Sequence, residues 1–155
     1  MVSAIAIREG GLDDPKVIAL LEAHAAGMMA NSPRESCHFL DLSGLKAPDV
    51  TFWTAWDGDT LLGCGALKEL DPTHGEVKSM RTAPEHLRRG TGAALVSHII
   101  AAARARGYRR LSLETGSGEA FEPAHALYRQ FGFTESPPFG DYQPDPFSRF
   151  MSRVL

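Results

Sequence analysis

The sequence has few cysteines, no long apolar run and no large excess of one charge. Its two cysteines, Cys37 and Cys64, have a spacing that matches no zinc or redox motif, so we interpret each as a small buried hydrophobic residue. No segment reaches the about 20 apolar residues of a membrane span, and the N-terminus lacks the apolar core of a signal peptide. We therefore expect a cytoplasmic protein with no membrane partner.

Charge and length exclude further classes of protein. Sixteen Lys and Arg stand against 19 Asp and Glu, which gives a net charge of -3. A nucleic-acid-binding domain would usually carry a basic stripe, so we expect no nucleic-acid partner. The 155 residues fit one domain, 1–155, with a core that needs no disulfide or metal. No cluster of His, Cys, Asp and Glu has metal-ligand spacing, and we expect no metal.

What is present is an alternation of strand-like and helix-like segments. The segment Thr51 to Leu70 predicts a hairpin around the turn at Gly58, and Gly92 to Arg106 predicts an amphipathic helix that ends at Gly107. The order predicts an α/β fold whose mixed sheet has antiparallel hairpins and one parallel strand-helix-strand unit. The predicted strands are 4–8, 51–56, 61–70, 76–82, 109–115, 134–136 and 149–155, and the predicted helices are 13–30, 35–42, 92–106 and 120–131.

A glycine-rich turn between a strand and a helix is the first candidate site. In the run Arg89-Gly90-Thr91-Gly92-Ala93-Ala94, glycines allow several backbone N–H groups to converge at the start of a helix. Arg88 and Arg89 add full positive charge, so the loop fits a pyrophosphate. A solvated turn is equally compatible with these residues alone. The Gly-Lys-Ser/Thr of a Walker loop is absent, and Leu95 stands where a dinucleotide fingerprint has its third glycine.

The surroundings of the loop make the pattern more specific. Arg89, Gly92 and Ala94 fill the pattern Arg/Gln-x-x-Gly-x-Gly/Ala, the strand 75–82 precedes it, and Leu-Tyr-Arg-Gln-Phe-Gly-Phe follows at 127–133. In this order and spacing, nearly the whole chain resembles small bacterial members of the GNAT superfamily of N-acetyltransferases. The resemblance implies a GNAT-like, mostly antiparallel twisted sheet with helices on both faces.

The resemblance also implies an activity. Its co-substrate would be acetyl-CoA, with direct transfer of the acetyl group to a primary amine of a small molecule or peptide in a ternary complex. A CoA-binding sensor or regulatory module without turnover is the alternative. Many relatives are dimers, so a homodimer is an implied possibility as well.

Residues that would bind the coenzyme follow from the same resemblance. The backbone of Met80, Arg81 and Thr82 would pair with the pantetheine arm like an added strand, and the side chain of Met80 fits a core position equally well. The pyrophosphate would lie against the loop: Arg88, Arg89, Gly90, Thr91, Gly92, Ala93 and Ala94.

Two residues are the catalytic candidates that the resemblance implies. Tyr128 matches a tyrosine near the coenzyme sulfur, where a phenol supports the departing thiolate. Glu76 matches the general base of the histone-acetylating branch, which removes the proton of the acceptor ammonium. The alternative to each catalytic role is structural: the Tyr128 ring packs in the core, and Glu76 is a solvated charge at the end of its strand. Lys78 has the same strand parity as Glu76, so an ion pair between them would reduce the basicity of the carboxylate.

Other residues have weaker claims. His38, His74 and His125 are rival bases by chemistry, and we interpret each as structural or exposed. Cys64 lies inside a predicted strand and is a poor nucleophile candidate. Phe121 stands where the family often has a coenzyme-binding asparagine, so that contact is not expected here.

The acceptor pocket is expected in two segments. The first is 31–50, whose charged and imidazole side chains include Arg34, Glu35, His38, Asp41 and Lys46. The second is the proline-rich loop 137–142, in which Phe139 and Tyr142 are expected to line the acceptor site or a dimer contact.

Overall fold

A computed structural model of the chain describes residues 5–31, 42–83 and 90–155. These residues form one seven-stranded sheet, in the order β1-β2-β3-β4-β5-β7-β6, together with four α-helices. The elements are β1 (Ala6–Glu9), α1 (Pro15–Asn31), α2 (Leu42–Leu45), β2 (Val50–Asp57), β3 (Thr60–Asp71), β4 (His74–Thr82), α3 (Thr91–Ala105), β5 (Arg110–Thr115), α4 (Glu122–Gln130), β6 (Thr134–Glu135) and β7 (Arg149–Val154).

The sheet is mixed, as the sequence predicts. β4 and β5 form the parallel pair, and the other neighbouring strands pair antiparallel. The crossover from β4 to β5 contains α3, which is the connection that a parallel pair requires. Outside the region 31–50, the boundaries differ from the predicted ones by a few residues at most. The helix predicted over 35–42 lies outside the described residues except for Leu42, and α2 was not predicted. The segment predicted as one helix over 120–131 begins instead with a 3₁₀ turn, Glu119–Phe121, before α4.

Apolar side chains form one cluster on each side of the sheet. The larger cluster joins α3 and α4 to the sheet through residues such as Leu95, Ile99, Tyr128 and Phe133. The smaller cluster joins α1 and α2 to the other side through Val17, Leu45 and their neighbours. Helices therefore cover both faces, in agreement with the prediction. We call the side that packs on α3 the α3 face and the opposite side the cleft face.

The helix α3 begins and ends at glycines for conformational reasons. Gly90 precedes the helix with φ 82° and Gly107 follows it with φ 83°, both in the left-handed region that favours glycine. The helix buries Leu95, Val96, Ile99, Ile100 and Ala103. This packing fixes the position of its first turn, Thr91 to Ala94, beside the sheet.

Candidate active site

The parallel strands β4 and β5 pair over only a short length. Their register runs from His74 opposite Arg110 to Glu76 opposite Ser112. Both strands continue beyond these residues, to Thr82 and Thr115, without pairing with each other. The second half of β4 therefore presents backbone groups to an opening between the two strands. The predicted coenzyme strand, Met80 to Thr82, lies in this half.

A break in the regular pattern of β4 coincides with the opening. Ser79 has φ 56°, the one positive φ among the described residues other than glycine, and the register with β3 shifts between Cys64 and Ala66. These are the features of a β-bulge, which re-aims the chain and interrupts pairing. The bulge was not predicted from the sequence; the available signal was Gly65, the residue of β3 that lies opposite it.

Two glycines of β3 allow the close approach of the coenzyme strand. A Cβ on Gly63 would lie 2.5 Å from the backbone oxygen of Arg81, and one on Gly65 would lie 2.5 Å from Sδ of Met80. The side chain of Met80 therefore packs toward the α3 face, next to Ile99. A core position was one of the alternatives for the Met80 side chain. The backbone of Met80 still lies at the opening between β4 and β5.

The first turn of α3 has donors to offer to an anion. The amide of Ala94 bonds to the carbonyl oxygen of Gly90, and the amides of Thr91, Gly92 and Ala93 precede the first intrahelical bond. Thr91 is 1% exposed, and its Oγ1 has no hydrogen-bond partner within the described ranges. A buried hydroxyl without a partner is costly, so it fits a ligand oxygen. The residues present therefore suit a pyrophosphate. Arg88 and Arg89, also predicted to bind it, lie outside the described residues.

Tyr128 lies on the α3 face, close to this helix start. The Cδ2 atom of its neighbour Leu127 is 3.0 Å from the position that a Cβ on Gly92 would take, so α4 abuts the first turn of α3. The Tyr128 ring packs edge-on against Phe133 at 5.8 Å and is 6% exposed. Burial raises the pKa of the Tyr128 hydroxyl well above its ordinary value. A raised pKa favours the protonated phenol, which can donate a hydrogen bond.

Glu76 lies on the cleft face with two partners at one oxygen. Its Oε2 accepts hydrogen bonds from Nζ of Lys78 at 3.1 Å and from the hydroxyl of Tyr142 at 2.7 Å. Lys78 also donates to the Tyr142 oxygen at 2.9 Å. Glu76 is 3% exposed, so it is not the solvated strand-end charge that was one alternative. The ion pair with Lys78 that strand parity indicated is confirmed.

These three residues line a cleft of about 750 Å³ between β3, β4 and the loop before β7. Tyr142 belongs to that loop, which the sequence predicts to line the acceptor site or a dimer contact. Burial, and then the negative charge of Glu76, raise the pKa of the Tyr142 hydroxyl above its ordinary value. The lining residues are Asp49, Lys68, Glu69, Leu70, Glu76, Lys78, Gly140, Asp141, Tyr142, Gln143, Pro144 and Asp145.

The rival bases have structural partners where they are described. His125 is fully buried, with Nε2 2.6 Å from Oγ1 of Thr115. His74 lies 2.6 Å from Oγ of Ser112, and burial lowers the pKa of its imidazole. Cys64 is buried, and burial raises the pKa of its thiol to about 12, which supports its rejection as a nucleophile. The expected acceptor residues Arg34, Glu35, His38 and Asp41 lie outside the described residues, as does Cys37.

Two further features bear on ligands. Within residues 5–31, 42–83 and 90–155, no group of three or more His, Cys, Asp or Glu side chains is arranged to hold a metal ion. None of the helices in this part of the chain has the length and apolar character needed to span a bilayer.

Comparison with known proteins identifies the family. Residues 18–133 match the model of the acetyltransferase (GNAT) family, so the chain belongs to that family. It is 52% identical over 149 residues to the uncharacterised N-acetyltransferase YsnE of Bacillus subtilis, with 96% of this chain and 99% of YsnE covered. It is 40% identical over 149 residues to a protein of Azospirillum brasilense named IAA acetyltransferase, with 96% and 95% covered. The chain is accordingly an acyl-CoA-dependent acetyltransferase.

Solved structures agree with this assignment. A candidate acyl-CoA N-acyltransferase from Klebsiella pneumoniae superposes with a TM-score of 0.82 at 31% identity, over 99% of both chains. A GNAT family acetyltransferase from Elizabethkingia anophelis, whose structure has acetyl-CoA bound, shares the fold at a TM-score of 0.70 and 21% identity, over 97% of this chain and 98% of that one.

Proposed function

We propose that this chain transfers the acetyl group of acetyl-CoA directly to a primary amine of a small molecule or peptide. The carrying observation is that the β4–β5 opening has a helix start on one side and a buried carboxylate on the other. The helix start suits the coenzyme pyrophosphate, and the carboxylate of Glu76 suits removal of a proton from an ammonium. Direct transfer requires both ligands at once, and the two sites lie on different faces of the sheet, which leaves room for both.

In this proposal the backbone from Met80 to Thr82 holds the pantetheine arm. Backbone donors of the same stretch polarise the thioester carbonyl, so that negative charge developing on its oxygen is stabilised. The first turn of α3, with Arg88 and Arg89, holds the pyrophosphate. No side chain needs to become acylated, which agrees with the burial of Cys64 and the raised pKa of its thiol.

Glu76 acts as the base and Tyr128 supports the leaving group. The amine attacks the thioester carbonyl after its ammonium has lost a proton toward Glu76. The thiolate of the coenzyme then departs and takes up the proton that the attacking nitrogen releases, so that the products are the amide and the free thiol. Because burial raises its pKa, Tyr128 is a hydrogen-bond donor to that thiolate more than a strong acid.

The test is an amine panel with acetyl-CoA, with free thiol release as the readout. We expect turnover with at least one primary amine. Calorimetry with desulfo-CoA measures binding separately. Binding without turnover on any amine would contradict the proposed acceptor class, and absence of binding would contradict the coenzyme site. The panel includes carboxylate-bearing and polyamine acceptors, because the cleft carries both acidic and basic side chains.

A further inference from the structure

The carboxylate that serves as base in the proposed function is almost fully buried in the wall of the cleft. Glu76 is 3% exposed, and its Oε2 is occupied by Lys78 at 3.1 Å and Tyr142 at 2.7 Å. Tyr142 is more exposed than Glu76 on the wall of the same cleft. A proton that reaches Oε2 therefore comes through one of its two partners or requires that partner to leave.

The two neighbours differ in what they can accept. The ammonium of Lys78 has donors only, and its side chain is 8% exposed. The hydroxyl of Tyr142 has one donor and acceptor lone pairs, and Tyr142 is half-buried on the cleft wall. It already donates to Glu76 and accepts from Lys78. Of the two, only the phenol can take a proton on one side while it gives one up on the other.

We propose that Tyr142 is a catalytic residue that relays the proton of the acceptor ammonium to Glu76. An N–H bond of the ammonium breaks as an O–H bond forms on the phenol oxygen, and the original phenol proton passes to Oε2 of Glu76. The products are a neutral amine and a neutral carboxylic acid, so charge and protons balance. The hydrogen bond from Lys78 stabilises negative charge on the phenol oxygen during the transfer. The inference depends on the proposed function, since it needs an ammonium acceptor.

The Tyr142 hydroxyl is held in place by packing. The ring meets Phe139 at 5.1 Å and Phe150 at 5.5 Å between centroids. The Tyr142 amide bonds to the carbonyl oxygen of Phe139, closing a turn in which Gly140 has φ 57°. A relay needs such fixed geometry, because proton transfer requires hydrogen-bond distance on both sides. Burial and the charge of Glu76 raise the pKa of Tyr142, which favours the protonated phenol that donates to Glu76.

Several titratable and charged groups surround the relay and contribute to its pH dependence. Lys78 and His74 lie on the same strand. Burial lowers the pKa of the His74 imidazole, and the negative charge of Glu76 opposes this with a smaller effect. Lys68 lies opposite Glu76 on β3, and Glu114 on β5 acts on Tyr142 through its charge.

The experiment compares acceptors that do and do not need deprotonation. Tyr142→Phe keeps the ring and the Glu76–Lys78 pair and removes the hydroxyl. We expect kcat with a primary aliphatic amine to fall by about 10²-fold at pH 7, within the usual range for general acid–base catalysis. With an aromatic amine, which is unprotonated at that pH, we expect kcat within about threefold of wild type. The remaining activity with the aliphatic amine should rise with pH in step with its unprotonated fraction.

Two further variants distinguish a relay from a structural role. Glu76→Gln should show the same dependence on the acceptor, and the double variant Tyr142→Phe/Glu76→Gln should lose little more, because residues acting as one unit are non-additive. Tyr108→Phe is the matched control. It removes a similar hydroxyl–carboxylate bond, 2.8 Å to Glu69, and should leave both acceptors unaffected.

Each contrary result has a distinct meaning. Equal losses with both acceptors, or no loss with either, would overturn the relay. The relay would also be overturned if the loss in kcat of the double variant equalled the product of the losses in the two single variants. Wild-type protein without turnover on any amine would instead overturn the proposed function. Desulfo-CoA affinity should be the same in all variants, which excludes a general loss of folding.

Discussion

The two faces of the sheet at β4 differ in the groups that they present to a ligand: one presents mainly backbone groups and the other mainly side chains. On the α3 face the proposed coenzyme site depends largely on backbone: the half of β4 that does not pair with β5 and the first amides of α3. On the cleft face the proposed acceptor site depends on side chains in mutual contact, namely Glu76, Lys78 and Tyr142. A backbone site tolerates many side-chain changes, whereas a buried charged network tolerates few, since each partner is needed to compensate the others. We therefore expect substitutions to have larger effects on the cleft face.

The largest effect is expected for Glu76→Gln. Loss of the base should lower kcat for an aliphatic amine by about 10² to 10⁴-fold, with desulfo-CoA affinity unchanged. The variant also leaves the buried Lys78 without its carboxylate, which should cost about 3–5 kcal/mol in the free energy of unfolding. Urea denaturation measures this cost. The double variant Glu76→Gln/Lys78→Met should recover part of it, and a double variant less stable than the single would contradict the account.

Tyr128→Phe tests the α3 face at its one proposed catalytic side chain. We expect kcat to fall by about 10-fold, equivalent to about 1.4 kcal/mol for one hydrogen bond to the thiolate. Because the folded-state pKa of Tyr128 is raised, its ionisation lies above the range in which the enzyme is assayed. The wild-type kcat should therefore show no decline from pH 8 to 10 that the Tyr128→Phe variant lacks. Such a decline would show that the phenol ionises near its ordinary value.

A smaller effect is expected for Thr91→Val, which tests whether the start of α3 binds the pyrophosphate through a side chain as well as through its backbone. If the buried Oγ1 binds the pyrophosphate, desulfo-CoA affinity should fall by about 5- to 10-fold, for a loss of about 1 kcal/mol. The stability of the free protein should stay equal or rise, because a hydroxyl without a partner in the described structure is replaced by a methyl group. Calorimetry and thermal unfolding measure the two quantities. A parallel fall in affinity and stability would mean that the hydroxyl has a structural partner.

The smallest effect is expected for Cys64. Since burial raises the pKa of its thiol to about 12, Cys64 stays protonated and unreactive at neutral pH. Cys64→Ala should keep kcat within about twofold of wild type, as expected for a residue with no step in the mechanism. Peptide mapping after iodoacetamide treatment of the native protein should find Cys64 unmodified. Rapid labelling of Cys64, or a kcat loss that labelling reproduces, would contradict this.

Much of the fold was accessible from the sequence because the signals are local. The hairpin around Gly58, the helix between Gly90 and Gly107, and the strand predicted over 109–115 each follow from residues close in the chain. The coenzyme side was accessible for the same reason. A helix start, its glycines and the preceding strand are contiguous, so their relation in space follows from their relation in sequence.

The cleft face was only partly accessible. Alternation along β4 indicated that the Glu76 and Lys78 side chains lie on the same face of the sheet, and the structure shows the ion pair between them. The bulge at Ser79 was not predicted, because a positive φ at a serine depends on the approach of β3 and not on local preference. The 3₁₀ turn before α4 lies within the error that helix ends usually carry.

The sequence by itself determined the α/β order, the helix start that suits an anion and the family, since each rests on short-range patterns. Only the tertiary structure decided what surrounds Glu76. Tyr142 is 66 residues away in the chain, and it reaches the carboxylate because antiparallel β7 returns its preceding loop to the edge of β4 and β5. Contacts at such separation come from the packing of the whole sheet, which no local pattern encodes. That packing buries the candidate base, brings Lys78 and Tyr142 to its Oε2, and places the Tyr142 phenol on the wall of the cleft.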